Sequence, residues 1–193
     1  QRTRGRPLLD VVDAALAGGV DAIQLREKDL SGAALLELAG RLREVTHRYG
    51  ARLLINDRID IALACEADGV HLPADSFAST DARRLLGNNR LLGVSTHSVQ
   101  QARAAAAGGA DFIVFGPVFE TPSKRAFGTP VGLDALAQAA QAVTLPVLAI
   151  GGLSVERVAS VLQRGARGVA VVAALLEADD PRAAAAALRA FLR

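Results

Sequence analysis

A chain of 193 residues with a formal net charge of +2 is one domain long and too evenly charged to carry a dedicated nucleic-acid surface. Its 51% hydrophobic content supplies a large core, and with aromatics at 4% and no Trp that core must be aliphatic, built from Ala, Val, Leu and Ile. A lone Cys65 excludes an internal disulfide and points to a reducing, cytoplasmic setting, while no apolar run approaches a membrane span and Gln1–Pro7 lacks the apolar stretch of a signal peptide.

In chain order, Ala-rich amphipathic stretches end at small-residue stops and lead into short β-branched runs. The stops are Gly18-Gly19, Gly50, Asp68-Gly69, Gly108-Gly109 and Gly165, each suited to a left-handed helix C-cap. The runs are Asp21–Glu27, Arg52–Asp57, Gly69–Leu72, Leu91–His97, Asp111–Phe119, Pro146–Gly152 and Gly168–Leu175. They are apolar without strict alternation, the pattern of parallel strands buried on both faces. Their junctions resemble one another: Val20-Asp21-Ala22-Ile23, Ala67-Asp68-Gly69-Val70, Ala110-Asp111-Phe112-Ile113 and Ala166-Arg167-Gly168-Val169. The spacing is too irregular for a solenoid and natural for alternating βα units. The seven runs fall one short of a closed (β/α)8 TIM barrel. The chain starts at Gln1 and contains no Met, so the simplest completion puts a first strand upstream of Gln1. The expectation is one α/β TIM-barrel domain over residues 1–193, carrying strands 2 to 8; an open doubly wound sheet is the alternative.

In such a barrel the reactive groups gather where the strands end. Gln24, Arg26 and Lys28 alternate onto one face, and two cations with an amide suit a multiply charged anion; solvated rim charges are the plainer reading. Asn56-Asp57 closes the next run and could hold Mg²⁺, which takes one or two carboxylates plus substrate phosphates. Asp57 could instead pair with Arg58 or cap the helix that follows. Ser95-Thr96-His97 offers hydroxyl donors. His97 is a candidate base, although a cap or packing role is more usual for such a residue. His71 reads as a satisfied barrel-wall histidine. Thr121-Pro122-Ser123-Lys124, followed by Arg125 and ending near Gly128, forms a long loop suited to cover phosphate, and Gly151-Gly152 before Ser154 offers backbone N–H groups to a second one. The three histidines and one cysteine lie too far apart for a zinc-like set, and no Ser–His–Asp, Cys–His, dinucleotide or P-loop pattern is present.

Taken together and in order, Gln24–Lys28, Ile55–Arg58, Ala67–Leu72, Gly93–His97, Phe115-Gly116-Pro117 with Thr121–Lys124, and Ala149–Gly152 make the chain resemble the thiamin phosphate synthase/TenI family. The resemblance implies a (β/α)8 barrel that condenses 4-amino-2-methyl-5-hydroxymethylpyrimidine diphosphate with thiazole phosphate, giving thiamin phosphate and pyrophosphate. It further implies that Gln24, Arg26, Lys28, Asn56, Ser95 and Lys124 cradle the diphosphate. By the same resemblance Arg26, Lys28, Ser95 and Lys124 would be the catalytic set, and Asp57 would bind Mg²⁺. The resemblance also implies that Thr121, Ser123 and the Gly152 backbone take the thiazole phosphate. Two positions depart from the synthase pattern. Ser76 stands where a second metal-binding carboxylate belongs, with Asp75 beside it, and Ala173 replaces a serine. The His-Leu-Pro-x-x-Ser-Phe stretch resembles the TenI branch of thiazole tautomerases, yet Pro117 occupies the place of that branch's histidine. A tautomerase and a non-catalytic thiazole-phosphate-binding regulator are therefore carried as alternatives, and a different phosphosugar barrel enzyme as a more remote one. The expected partners are phosphorylated pyrimidine and thiazole molecules, with neither nucleic acid nor membrane, and the apolar face over Ala183–Leu188 leaves room for a homodimer.

Overall fold

The computed structural model describes residues 3–121 and 129–192. In chain order the elements are α1 (Leu8–Ala17), β1 (Ala22–Leu25), α2 (Gly32–Arg48), β2 (Arg52–Asn56), α3 (Ile59–Ala64), β3 (Gly69–Leu72), α4 (Ser79–Leu86), β4 (Leu91–Thr96), α5 (Val99–Ala107), β5 (Phe112–Phe115), α6 (Gly132–Ala142), β6 (Val147–Ile150), α7 (Val155–Gln163), β7 (Gly168–Ala170), α8 (Ala173–Leu176) and α9 (Pro181–Arg189). All seven strands lie parallel in sequence order. Each expected run contains a strand, but most are shorter than expected. β1 stops at Leu25, β5 at Phe115 and β7 at Ala170, where the chain turns into the short α8 instead of continuing to Leu175.

The helices start where polar side chains can satisfy their first N–H groups. Ser31 Oγ accepts from Ala34 N at 3.3 Å to open α2, Ser98 Oγ from Gln101 N at 3.2 Å to open α5, and Asp180 Oδ1 from Ala183 N at 3.0 Å to open α9. Pro181 follows as the first residue of α9, where its missing N–H is no loss. One expected stop differs. Asp68-Gly69 does not cap α3; the chain reverses at Glu66, with φ +53, and Gly69 is already the first residue of β3.

The core sits between the sheet and its helices. Leu25, Leu53, Ile55, Val70, Leu72, Leu92, Ile113, Phe115, Val147 and Ala149 all point outward from the strands and are buried. They meet Ala39, Ala62, Ala82, Ala102 and Ala139 of the surrounding helices, whose short side chains allow close approach. The opposite, inner face is less enclosed: Gln24 is exposed, and Asn56, Ser95, Leu148 and Ile150 are half-buried. Burial on both faces is therefore only partly realised. The cause is visible in the topology. Among the described residues β1 and β7 are not hydrogen-bonded to each other, so the sheet is an incompletely closed barrel. Its two ends are nevertheless brought round to meet, because α1 packs on α9 and Arg189 of α9 pairs with Asp21 just before β1. The seven strands in sequence order rule out the crossed order of a doubly wound sheet.

Two of the recurrent junction aspartates, Asp68 and Asp111, have a shared task. Asp68 Oδ2, ahead of β3, accepts from Leu53 N of β2 at 2.8 Å, and Asp111 Oδ2, ahead of β5, accepts from Leu92 N of β4 at 2.7 Å. Each carboxylate thus caps the start of the neighbouring strand and is held by arginine: Asp68 by Arg43 and Arg52, both at 3.0 Å, and Asp111 by Arg83 at 2.5 Å.

Candidate active site

The residues singled out from the sequence gather at the carboxyl ends of the strands. Register places Asn56 of β2 beside His71 of β3, and His71 beside Gly93 of β4. Side chains on this inner face are hydrogen-bonded across three strand boundaries. Gln24 Nε2 donates to Asn56 Oδ1 at 3.1 Å and lies 2.6 Å from His71 Nδ1; His71 Nε2 lies 3.3 Å from Ser95 Oγ. His71 is 5% exposed, and burial pulls its imidazole down to a pKa of about 4, so it is neutral at ordinary pH. One face of the ring stacks on Phe112, with centroids 6.1 Å apart. Phe112 can lie there only because position 93 is glycine: a Cβ at Gly93 would overlap the ring. His71 is a satisfied wall residue, as its sequence context suggests. Its place at the centre of this network was not evident from sequence, although strand alternation puts it on the same face as Asn56.

Asp57, next to this network, has φ +62, a left-handed conformation that a residue other than glycine adopts at a cost. Its N–H donates to His71 O at 3.1 Å, and its carboxylate accepts from the hydroxyl of Ser76. The expected alternatives for Asp57 are not met, since Arg58 pairs with Asp60 instead (2.8 and 2.6 Å) and α3 begins without a side-chain cap. The turn after β3 brings Ser76 to Asp57, whereas Asp75 in the same turn is exposed. Among the described residues no cluster of three or more His, Cys, Asp or Glu is arranged around a common point. One carboxylate beside a hydroxyl still fits Mg²⁺, which commonly completes its oxygen shell with substrate phosphates and water.

Arg26 and Lys28 follow β1 in an exposed loop, beyond the strand that was expected to align them with Gln24. Among the described residues neither forms an ion pair or hydrogen bond. Arg6, Arg43, Arg52 and Arg83, by contrast, are each fastened to a carboxylate or a carbonyl. His97 is exposed; its Nδ1 meets the Gly116 carbonyl and its N–H donates to Gln101 Oε1 at 2.7 Å, which makes it a fastening for the end of β4. Thr121 is half-buried at the edge of this loop, while Ser123 and Lys124, with Arg125 and Gly128, lie outside the described residues.

The Gly151-Gly152 pair has a packing role that its sequence context hides. The chain after β5 continues beside the end of β6, with Val118 N donating to Ile150 O at 2.8 Å and Phe119 N to Gly151 O at 3.1 Å. Gly152 has φ +61, and a Cβ there would stand 2.8 Å from Phe119 Cβ. Arg157, not singled out from the sequence, secures this corner by donating to Gly152 O at 2.6 Å and lying 4.7 Å over the Phe119 ring. Two surface hollows of about 460 and 400 Å³ lie at the opposite end, where the strands begin. Their charged walls include the strand-fastening pairs Arg52–Asp68 and Arg189–Asp21.

Fold and mouth together define a parallel α/β barrel-like protein whose strand ends gather amides, a hydroxyl, unpaired cations and a lone carboxylate. The profile of the thiamine monophosphate synthase family (TMP-TENI) matches residues 1–175, and the chain belongs to that family. A relative from Geobacter sulfurreducens is 55% identical over 188 residues, 97% of this chain and 88% of its own length. The thiamine-phosphate synthase of Roseiflexus castenholzii is 49% identical over 95% of this chain and 80% of its own length. Among solved structures, the thiamine phosphate pyrophosphorylase of Pyrococcus furiosus superposes with a TM-score of 0.89 at 35% identity, covering 98% of this chain and 91% of its own.

Proposed function

We propose that this protein is a thiamin phosphate synthase, condensing 4-amino-2-methyl-5-hydroxymethylpyrimidine diphosphate with thiazole phosphate. The bond between the pyrimidine methylene carbon and the diphosphate oxygen breaks, and its electron pair leaves with pyrophosphate. The thiazole nitrogen then gives its lone pair to that carbon, forming thiamin phosphate. Such a substitution needs no protein nucleophile; it needs charge stabilisation on the departing group and fixed alignment of the two rings. The observation that carries this reading is the juxtaposition at one mouth of Asn56 and Ser95 with Asp57, beside Arg26 and Lys28, which are unpaired among the described residues. In this reading Gln24 fixes Asn56; Asn56 and Ser95 donate to the diphosphate, and Arg26, Lys28 and Lys124 neutralise it. Thr121, Ser123 and the Gly152 backbone hold the thiazole phosphate. Asp57, with Ser76 alongside, would hold Mg²⁺, which supplies further charge neutralisation on the departing diphosphate.

The test is formation of thiamin phosphate by the purified full-length protein from both substrates and Mg²⁺. Product formation that chelation abolishes, and that Asp57→Asn lowers by about a hundredfold or more, supports the reading. A protein that binds thiazole phosphate tightly but makes no thiamin phosphate would instead be a tautomerase of the TenI kind or a regulator, and conversion of the thiazole tautomer would separate those two.

A further inference from the structure

The hydrogen bonds of the inner face have a direction, and Gln24 sets it. Its amide nitrogen carries two hydrogens and can accept none. One hydrogen goes to Asn56 Oδ1 and the other to His71 Nδ1. Nδ1 must then present its lone pair, so the neutral ring carries its proton on Nε2 and donates it to Ser95 Oγ. Ser95 accepts inside the wall and keeps its own proton for a group outside it; Asn56, its oxygen engaged, keeps its amide hydrogens. Reversing Gln24 would reverse every member. Nδ1 would be protonated, Ser95 would donate inward, and the mouth would present acceptor oxygens to any phosphate. Phe112, admitted by Gly93, stacks on one face of the ring.

We propose that His71 is a positioning residue, locked as the Nε2–H tautomer by Gln24, whose task is to leave the Ser95 hydroxyl free to donate to the substrate's phosphate oxygens. The consequence for turnover rests on the condensation proposed above; the direction of the hydrogen bonds does not.

Imidazole ¹⁵N spectra of the full-length protein, with His71 assigned by comparison with His71→Asn, give the direct test. A protonated Nε2 and a bare Nδ1 are expected; a protonated Nδ1, or averaging between the two tautomers, overturns the proposal. The second test is a double-mutant cycle on kcat. His71→Asn and Ser95→Ala are each expected to lower kcat by about tenfold or more, and the double variant to be no more than about twofold below Ser95→Ala. Losses that multiply would mean that His71 does not act through Ser95. If His71→Asn does not fold, His71→Gln takes its place in the cycle. A wild-type protein that makes no thiamin phosphate refutes the condensation. The tautomer measured on that same protein still decides the relay, and the cycle is then read on the Kd of inorganic pyrophosphate.

Discussion

Two side chains at the mouth show how much depends on a single group. Ser76 donates to the Asp57 carboxylate where a second carboxylate would bring charge. We expect Ser76→Asp to lower the Mg²⁺ concentration giving half-maximal synthase rate by about tenfold, since each added carboxylate strengthens a hard-cation site. An unchanged Mg²⁺ titration would mean that substrate oxygens already fill that position. His71 carries a pH signature of its own. Burial holds its pKa at about 4, against 6.5 in an unfolded chain, so the unfolded state binds its proton more readily. Stability from this group is therefore complete above pH 6.5, falls as pH drops from 6.5 toward 4, and is level below; the whole fall corresponds to about 3 kcal/mol. By pH 5, before most carboxylates titrate, about 2 kcal/mol of it is gone. Urea unfolding at pH 7 and pH 5 should show that loss in the wild type and not in His71→Gln. The identities of the mouth residues were legible in the sequence because each ends an apolar run. The partner of Asp57 was not, because Arg58 lies next in the chain and only the folded turn after β3 decides that Ser76 reaches the carboxylate first.

Among the elements, the resemblance of the junctions has a mechanical reading. An aspartate ahead of one strand caps the first free N–H of its neighbour, which fixes the register at two of the strand pairs. Asp68 holds Leu53 N and two arginines with a side chain only 10% exposed. Asp68→Ala leaves that N–H and both guanidinium groups without their shared acceptor, and should destabilise the protein by about 2–3 kcal/mol. Synthase kcat and KM at a temperature where the variant is folded should be unchanged, because the junction lies at the opposite end of the strands from the mouth. A changed KM would show that register errors propagate along the sheet. Strand existence and order were readable from composition and stops, whereas strand ends were not. β7 terminates at Ala170 while its sequence is still apolar, because pairing with the neighbouring strand stops there.

At the scale of the molecule, the sheet's two ends are joined by side chains and helices. Arg6, ahead of α1, donates to the carbonyls of Leu176 at 3.1 Å, Ala178 at 2.7 Å and Asp179 at 3.2 Å, and so ties the first described segment to the loop between α8 and α9. Removing those bonds with Arg6→Ala should lower stability by about 2–3 kcal/mol. Hydrogen exchange should speed up first at the start of α1 and around residues 176–180, if this clasp is what joins the ends. Uniformly faster exchange throughout the chain would assign the loss to general destabilisation instead. Among the described residues no helix is long and apolar enough to cross a membrane, consistent with the absence of any such run in the sequence.

What the sequence determined by itself was the local chemistry: an aliphatic core, seven parallel strands in chain order, and polar residues collected at strand ends. Periodicity and punctuation encode those features within a few residues of one another, so they need no knowledge of distant contacts. Tertiary structure decided the pairings. Gln24, Asn56, His71 and Ser95 come from four different strands, and their hydrogen bonds depend on register across the sheet, a quantity set by cooperative packing of the whole barrel wall. The same dependence explains why the glycines at 93 and 152 disclose their purpose only in the fold: each makes room for an aromatic side chain or a loop that arrives from elsewhere in the chain.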